Sequence, residues 1–291
     1  MKTLTIGYLN IQGQSKLNQA KQNQLDFILK EHKCDILHLQ ETNILEDTFE
    51  LCPHIANNYQ ILAQNNETGF GTCSIVHNKL DISNEVLHPN GRLISFDVGS
   101  STMINIYAPS GSDFNAKHQR EDMFGHLLPN VMLGRKNAGV VGGDWNTVND
   151  PFDCTNFNPA RASPNLKKLI SLLNWKDTFR VLYPHTKAYS HTYNRNMADL
   201  GIVPGASRLD RSYTWGRVNT IDSQYVSVSF SDHFLHLVTV ELPEPFETKI
   251  HQCPPFFKIS PDVAKDEDFK IKVEQIIKDW SKVKEKLPLQ R

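Results

Sequence analysis

Residues 138–146 read Ala-Gly-Val-Val-Gly-Gly-Asp-Trp-Asn and mark the centre of the expected fold. The apolar start of this stretch predicts a buried strand, which stops at two glycines that let a backbone pack or turn where a Cβ would clash. Asp144 and Asn146 stand two positions apart, so both side chains can face one cleft beyond the strand. A carboxylate that handles a proton or a metal, beside an amide that donates hydrogen bonds, suits phosphate chemistry. The alternative is a Gly-Gly turn with an aspartate helix cap.

Composition describes an ordinary globular protein. The 291 residues are enough to bury a sizeable core, and 39% hydrophobic with 22% charged residues is typical of that class. The net charge of −1 shows no global basicity. Binding to a polyanion would therefore need locally placed Lys and Arg or a bridging cation.

Cysteine usage and hydropathy indicate the compartment. The five cysteines are an odd number and form no CxxC pair, which favours reduced thiols inside the cell over a disulfide scaffold or a zinc site. Residues 1–30 lack an uninterrupted apolar segment, and no apolar run approaches membrane length. We therefore expect an intracellular protein with no secretory signal and no membrane partner.

The order of elements predicts an α/β fold with two mainly antiparallel sheets packed face to face and helices outside. We expect one domain over residues 1–241, followed by a Pro-rich linker and C-terminal helix over 242–291. Strands are predicted at 3–10, 34–39, 59–63, 72–77, 92–98, 102–107, 138–146, 189–194, 207–214, 224–230 and 234–241, and helices at 16–32, 117–131, 164–174 and 263–285.

Polar residues stand at or just beyond the ends of these predicted strands. Strand ends of layered sheets can gather distant residues at one rim, and the resulting set is rich in oxygen. Such ligands suit Mg²⁺ or Mn²⁺ rather than zinc. A hard cation can neutralise a phosphate, and a remaining acid and imidazole can activate water. Beside Asp144 and Asn146, the set contains Asn10, Glu41, Tyr107, Asp210, Asp232 and His233.

Six motifs in fixed order resemble the endonuclease/exonuclease/phosphatase superfamily, over about residues 3–241. The resemblance implies a four-layer α/β sandwich, in agreement with the strand pattern. The motifs are Leu9-Asn10, Gln40-Glu41-Thr42, Asn105-Ile106-Tyr107-Ala108-Pro109, Gly142-Gly143-Asp144-Trp145-Asn146, Arg208-Leu209-Asp210-Arg211 and Ser231-Asp232-His233.

The resemblance also implies roles on the metal and water side. Glu41, with Asp232 and Asn10 nearby, would bind the divalent metal. Asp144 would orient or deprotonate the attacking water, or else protonate the leaving oxygen.

On the phosphate side, the resemblance implies that Asn146 and Tyr107 hold the scissile phosphate. Asp210 would hydrogen-bond His233 and fix its tautomer, and His233 would contact the phosphate or activate the water. Thr192 matches a further phosphate-side position. Ion pairing of Asp210 with a neighbouring arginine, Arg208 or Arg211, is the alternative for that aspartate.

Within the superfamily, the sequence is most similar to the endonucleases of LINE-type (non-LTR) retrotransposons. The likeness lies in residues 142–153, in 172–184, and in 254–258 with 266–269, which look like the link to a reverse transcriptase. It implies a Mg²⁺-dependent endonuclease that nicks one strand of double-stranded DNA and leaves a 3′-hydroxyl for target-primed reverse transcription. It further implies action in the nucleus, with the reverse transcriptase of the same polyprotein and the element RNA as partners.

Two positions bear on specificity. Abasic-repair relatives usually carry an Asp two residues after the first Asn, where this chain has Gln12, and this favours the retrotransposon branch. The 195–206 link is expected to probe the DNA minor groove with Arg195, Met197 and Arg208; the alternative is an ordinary surface hairpin.

Two rival functions remain open at the level of sequence. One is another phosphodiesterase or phosphatase of the same superfamily, including an abasic-site enzyme. The other is an inactive DNA-binding module, although such a module is expected to have lost Glu41, Asp144 or His233.

Overall fold

The computed structural model describes residues 2–13, 18–44, 48–49, 52–66, 71–159, 162–193, 205–243 and 266–284. Two compact units divide the chain, Met1–Phe246 and Glu247–Arg291. The strands are β1 (Lys2–Asn10), β2 (Ile36–Thr42), β3 (Tyr59–Asn65), β4 (Gly71–His77), β5 (Ile82–Leu87), β6 (Leu93–Val98), β7 (Ser101–Tyr107), β8 (Gly139–Asp144), β9 (Lys176–Asp177), β10 (His191–Tyr193), β11 (Gly205–Ser207), β12 (Asp210–Trp215), β13 (Asn219–Val226) and β14 (Leu235–Leu242). The helices are α1 (Gln19–Glu31), α2 (Pro53–Asn58), α3 (Phe114–Asp122), α4 (Leu128–Met132), α5 (Pro164–Leu172), α6 (Thr178–Leu182) and α7 (Glu267–Lys284).

Two six-stranded sheets form the larger unit. The first has the order β13-β14-β1-β2-β4-β3 and the second the order β5-β6-β7-β8-β12-β9, while β10 and β11 form a separate hairpin. Pairing is antiparallel except for β1 with β2 and β7 with β8. The predicted α/β architecture of two mainly antiparallel sheets is confirmed.

Alternating strand residues build three buried layers. Val140 packs between the sheets, whereas its neighbour Val141 packs on the outer face of the second sheet. The inner layer also contains Ile6 and Phe96 from opposite sheets. This two-residue period explains why the apolar run through β8 is buried on both faces.

Helices cover both outer faces of the sandwich. The apolar residues of α1, among them Leu25 and Leu29, pack against the first sheet. Phe124 from the π-helical turn Met123–Leu127 and Leu166 from α5 pack against the second. The four layers are therefore helix, sheet, sheet and helix. The helix predicted at 164–174 begins at Pro164, because the Ser163 hydroxyl caps α5 by accepting from the Leu166 N–H and Pro164 occupies the first turn.

Several boundaries differ from the predictions. The helix expected at 117–131 is divided into α3, the π-helical turn and α4, and Pro129 cannot donate a backbone hydrogen bond there. The strand expected at 207–214 is two strands, β11 and β12, and β5 was not predicted.

In the smaller unit, α7 places Glu267 and Asp268 in its first turn, where acidic side chains complement the helix dipole. The predicted Pro-rich linker lies outside the described residues over 244–265, and Leu242, where it was expected to begin, is the last residue of β14. No helix among those that the structure describes is long and apolar enough to cross a membrane.

Candidate active site

The predicted residues meet because their strands end at one edge of each sheet. In the first sheet β1 and β2 are parallel, with Asn10 paired to Gln40, the neighbour of Glu41. In the second, Asp144 is in register with Tyr107 on one side and with Asp210 on the other. Strand direction and register thus bring five of the predicted residues to one edge, whereas Asn146, Asp232 and His233 reach it from the segments that adjoin the strands.

Asn10 connects the acids of the two sheets. Its Nδ2 donates to Oε1 of Glu41 and to Oδ2 of Asp144, each over 3.0 Å. The hydroxyl of Tyr107 donates to the same Glu41 oxygen over 3.0 Å. Burial and the Glu41 charge raise the pKa of Tyr107 to about 12, so the phenol keeps its proton at neutral pH.

Asp144 is buried, with 1% of its surface exposed. Burial, followed by the charge of Asp210, raises the pKa of Asp144, while His233 and the hydrogen bond from Asn10 oppose the shift. Asn146 also holds this carboxylate, because its backbone N–H and its Nδ2 donate to Asp144 over 2.9 and 3.1 Å. The result is a carboxyl group of increased basicity in a fixed orientation.

Asn146 makes a further contact that uses its amide. Nδ2 also donates to the Ala108 carbonyl over 2.9 Å, so both amide hydrogens are engaged within the protein. The contact of Asn146 and Tyr107 with a scissile phosphate stays a prediction.

Asp210 and His233 form a buried pair. Nδ1 of His233 lies 2.8 Å from Oδ2 of Asp210, which fixes Nε2 as the nitrogen that faces away from the pair. Burial alone would lower the pKa of His233, but the charge and hydrogen bond of Asp210, with Asp144 and Asp232, raise it to about 10. His233 is therefore an imidazolium at neutral pH. The alternative ion pair of Asp210 with an arginine is wrong.

Left-handed backbone conformations cluster at this edge. Gln12, Glu41 and Asn146 have φ values of 48°, 52° and 47°. Gly13 closes the turn after β1, with its N–H donating to the Glu41 carbonyl over 2.8 Å, and a Cβ there would meet that oxygen at 2.2 Å. Such strain persists only where the surrounding structure enforces it, and it is common at functional sites.

Gly143 explains why the central motif needs a glycine before the acid. Its φ is 135°, and an added Cβ would lie 2.0 Å from the Ile106 carbonyl oxygen. Only glycine fits this close approach of β7 and β8, which brings Asp144 into register with Tyr107.

Solved structures show where this architecture occurs elsewhere. An AP endonuclease from Archaeoglobus fulgidus superposes with a TM-score of 0.67 at 18% identity, over 81% of this chain and 98% of that chain. The fold is that of the endonuclease/exonuclease/phosphatase proteins. The 3′ phosphatase NExo from Neisseria has a TM-score of 0.65 at 19% identity, over 82% and 99% of the two chains. Truncated Caenorhabditis elegans TDP2 has a TM-score of 0.59 at 17% identity, over 82% and 97%. No protein-family model and no curated protein matches the sequence.

Among the residues that the structure describes, two sets of side chains can hold a cation. The ligand atoms of Asp144, Asp210 and His233 lie within 4.8 Å of one another, and so do those of His191, Asp232 and His233. Oδ1 of Asp210 and Oδ1 of Asp232 are buried and have no hydrogen-bond partner among the described residues. Unsatisfied buried carboxylate oxygens of this kind fit a divalent cation.

The orientation of Asn10 does not agree with its predicted role as a metal ligand. Its Oδ1 accepts from the Gln12 N–H over 2.9 Å, and its nitrogen faces the two acids. In this arrangement Asn10 positions Glu41 and Asp144 and does not present an oxygen ligand to a metal. Asp232 belongs to one of the two cation-binding sets, whereas Glu41 belongs to neither, so metal binding by Glu41 together with Asp232 stays a prediction.

The position of Arg208 does not agree with its predicted role in DNA binding. The residue is 1% exposed, and its guanidinium donates to Asp153 at 2.9 and 2.8 Å and to Asp177 at 3.0 and 2.6 Å. The prediction that Arg208 contacts DNA is wrong, because every contact of that group lies inside the fold. Arg195 and Met197 lie outside the described residues.

Three further polar residues lie at the site. The guanidinium of Arg92 lies 4.4 Å above the Tyr107 ring, and its Nη1 is buried without a hydrogen-bond partner among the described residues. Lys21 donates to the Ile11 carbonyl over 2.7 Å; its pKa is lowered by burial, an effect that the Glu41 charge opposes. His191 contacts Asp232 over 3.2 Å. Sequence reasoning includes Arg92 only among several basic residues that could contact a phosphate, and it does not place Lys21 or His191 at the site.

Two further side chains carry buried polar atoms. The hydroxyl of Thr192 is buried and has no hydrogen-bond partner in the described ranges, and its contact with a phosphate stays a prediction. His38 is a core histidine: it is fully buried, Nδ1 lies 2.8 Å from the Ser74 hydroxyl, and burial lowers its pKa to about 3.

Proposed function

We propose that this protein is a divalent-metal-dependent endonuclease that nicks double-stranded DNA by hydrolysing a phosphodiester bond in one strand. The observation that carries the proposal is a chain of contacts from Glu41 through Asn10 to Asp144, beside the buried Asp210–His233 pair. It combines a cation ligand, a basic carboxylate and a positively charged imidazole within one edge of the sandwich. These are the groups that phosphodiester hydrolysis requires.

Asp144 acts as the general base in this proposal. Its raised pKa makes it a stronger base than a solvated aspartate, and Asn10 and Asn146 hold the carboxylate in place. It takes a proton from water as the water oxygen bonds to phosphorus. The P–O3′ bond breaks and O3′ takes up a proton from solvent, while Asp144 later releases its proton to solvent, which leaves a 3′-hydroxyl and a 5′-phosphate.

His233 supplies positive charge. Asp210 holds Nδ1 and keeps the ring protonated, so Nε2–H can donate to a phosphate oxygen as negative charge develops there. Glu41 and Asp232 would hold Mg²⁺ or Mn²⁺, which when bound neutralises the phosphate and stabilises the leaving oxygen.

The LINE-type role is the finer part of the proposal. It is supported by the sequence likeness over residues 142–153, 172–184, 254–258 and 266–269. The 3′-hydroxyl would prime reverse transcription at the target, in the nucleus, with a reverse transcriptase and the element RNA as partners.

A nicking assay tests the proposal. Purified protein is incubated with supercoiled plasmid and Mg²⁺, nicks are mapped by primer extension, and polymerase extension without phosphatase treatment reports the 3′-hydroxyl. We expect EDTA to stop nicking. Nicking that persists in EDTA, or termini that cannot be extended, would contradict the assignment.

Matched substrates separate the rival phosphodiesterases. Undamaged, abasic and 3′-phosphate oligonucleotides are compared at equal concentration. Cleavage confined to abasic sites, or release of phosphate alone, would identify the chain as a different enzyme of the same fold. No turnover of any of them would support a binding module.

A further inference from the structure

His191 brings a second imidazole to the catalytic edge. Its Nε2 lies 3.2 Å from Oδ2 of Asp232, and Nε2 of His233 lies 3.8 Å from Oδ1 of the same carboxylate. The carboxylate of Asp232 therefore stands between two imidazole nitrogens that approach it from different rings. Glu41, in contrast, has Asn10 and Tyr107 as its hydrogen-bond partners.

These separations suit a small tetrahedral cation. Zinc binds imidazole nitrogen and carboxylate oxygen at about 2.0–2.2 Å, so two ligands of a tetrahedral site lie about 3.3–3.6 Å apart. The observed 3.2 and 3.8 Å lie close to this range, each to a different oxygen of Asp232. One ligand atom from each of the three side chains lies within 4.8 Å of the others, a separation that a small shift of the side chains would close around an ion. Imidazole is a preferred ligand of zinc and similar transition metals, whereas Mg²⁺ prefers an octahedron of oxygens.

The three side chains are held in place before any ion arrives. His191 and His233 form an antiparallel backbone bridge, and their ring centroids are 4.6 Å apart. Asp210 holds Nδ1 of His233, which leaves Nε2 as the ligating nitrogen. Oδ1 of Asp232 is buried without a hydrogen-bond partner among the described residues, so it is available to a cation.

We propose that His191, Asp232 and His233 form a binding site for a borderline-soft divalent cation, of which Zn²⁺ is the representative, with water in the fourth position. Each ligating nitrogen is unprotonated in the bound state, and any proton it carried goes to solvent. Occupation takes the His233 nitrogen that faces the phosphate, so the ion inhibits hydrolysis. The inhibition rests on the proposed function, whereas the metal site does not.

Calorimetric titration of the full chain with Zn²⁺ tests the site directly. His191→Phe retains an aromatic ring but removes the ligand, and His191→Gln retains a polar group that binds zinc poorly. Loss of an outer-sphere partner commonly weakens metal binding about 10–100-fold, so loss of a ligand should weaken it at least about 100-fold. His118→Phe, at an exposed histidine of α3, is the matched control and should bind as the parent does.

Cobalt reports the ligand type. Co²⁺ in a four-coordinate nitrogen and oxygen site absorbs visibly without a thiolate charge-transfer band, and His191→Phe should lose that spectrum while Glu41→Gln retains it. Equal zinc affinity in the parent and both His191 variants, a thiolate band, or loss of binding in Glu41→Gln would each overturn the proposal. Folding of the variants is checked by near-ultraviolet circular dichroism.

A nicking assay with added zinc tests the consequence. At fixed Mg²⁺, Zn²⁺ should inhibit the parent and the His118→Phe control at the concentration at which it binds. A protein that binds zinc as described but nicks nothing would refute the proposed function and leave the metal site standing. Nicking at full rate with zinc bound would refute the inhibition.

Discussion

Nδ1 of His233 lies 2.8 Å from Oδ2 of Asp210, and this pair joins the two sheets of the sandwich. Asp210 begins β12 in the second sheet, and His233 comes just before β14 in the first. The pair therefore sets both the position and the charge of the imidazole.

Asp210→Asn tests this coupling through pH. Without the carboxylate charge, the pKa of His233 should fall from about 10 toward the ordinary value near 6.5. Since the cation is the active form, nicking by the parent should persist until the pH approaches 10. In the variant it should fall near neutral pH. The measurement is kcat/KM against pH at saturating Mg²⁺, with Asp81→Asn as an exposed control. Identical alkaline limbs in variant and parent would refute the role.

Asp144→Asn removes the proposed base while preserving shape. General base catalysis contributes about 10²–10⁴-fold, so the nicking rate should fall by at least about 100-fold with the unfolding midpoint nearly unchanged. In the parent, the acid limb of the pH profile should lie above the ordinary aspartate range near 4, because burial raises the pKa of Asp144. Parent-like nicking by the pure variant would exclude Asp144 as the base.

Glu41→Gln tests the metal side. Loss of the negative oxygen should raise the Mg²⁺ concentration needed for half-maximal nicking by at least about 10-fold. Excess Mg²⁺ should restore part of the rate, which distinguishes a lost ligand from a lost fold. An unchanged Mg²⁺ requirement would show that Glu41 is not a ligand.

Gly143→Ala tests the close approach of β7 and β8. The added Cβ would meet the Ile106 carbonyl oxygen at 2.0 Å, so the cost should exceed the about 1–3 kcal/mol of backbone strain alone. Gly134→Ala is the control, because its φ is 79° but nothing lies within 4 Å of the added Cβ. Denaturant unfolding measures both. Equal losses of unfolding free energy would show that the contact relaxes without cost.

Arg208→Ala tests whether this arginine serves the fold. Removing one partner of a buried ion pair commonly costs about 3–5 kcal/mol. Arg208→Ala should cost an amount toward the lower end of this range, because Asp153 retains Arg180 as a partner and Asp177 is partly exposed. Lys167→Ala, on the exposed face of α5, should cost much less. The salt dependence of DNA binding should be unaffected at temperatures where the variant is folded. A stable variant with a reduced salt slope would restore Arg208 as a DNA contact.

The sequence was informative for polar side chains that stand at the ends of strands. Asn10, Asp144 and Asp210 were predicted at one rim because each ends or begins a strand, and β-register places them there. Gly143 likewise signalled a close backbone approach before the acid.

The sequence was uninformative where a partner lies far along the chain. Nothing near Arg208 shows that Asp153 and Asp177 enclose it, so its charge suggests a surface group. The contact of His191 with Asp232 likewise spans 41 residues. The environments of Arg208 and His191 depend on side-chain contacts between distant parts of the chain. A local sequence pattern carries no information about such contacts.

The division of the reacting groups between two sheets has a thermodynamic consequence. Glu41 belongs to the first sheet and Asp144 to the second, and Asn10 links them by hydrogen bonds. Neither sheet alone holds all the reacting groups. Turnover therefore requires that the two sheets remain packed against each other through the inner apolar layer. In a denaturant series, loss of nicking should therefore coincide with exposure of residues such as Phe96, with no active fragment surviving separation of the sheets.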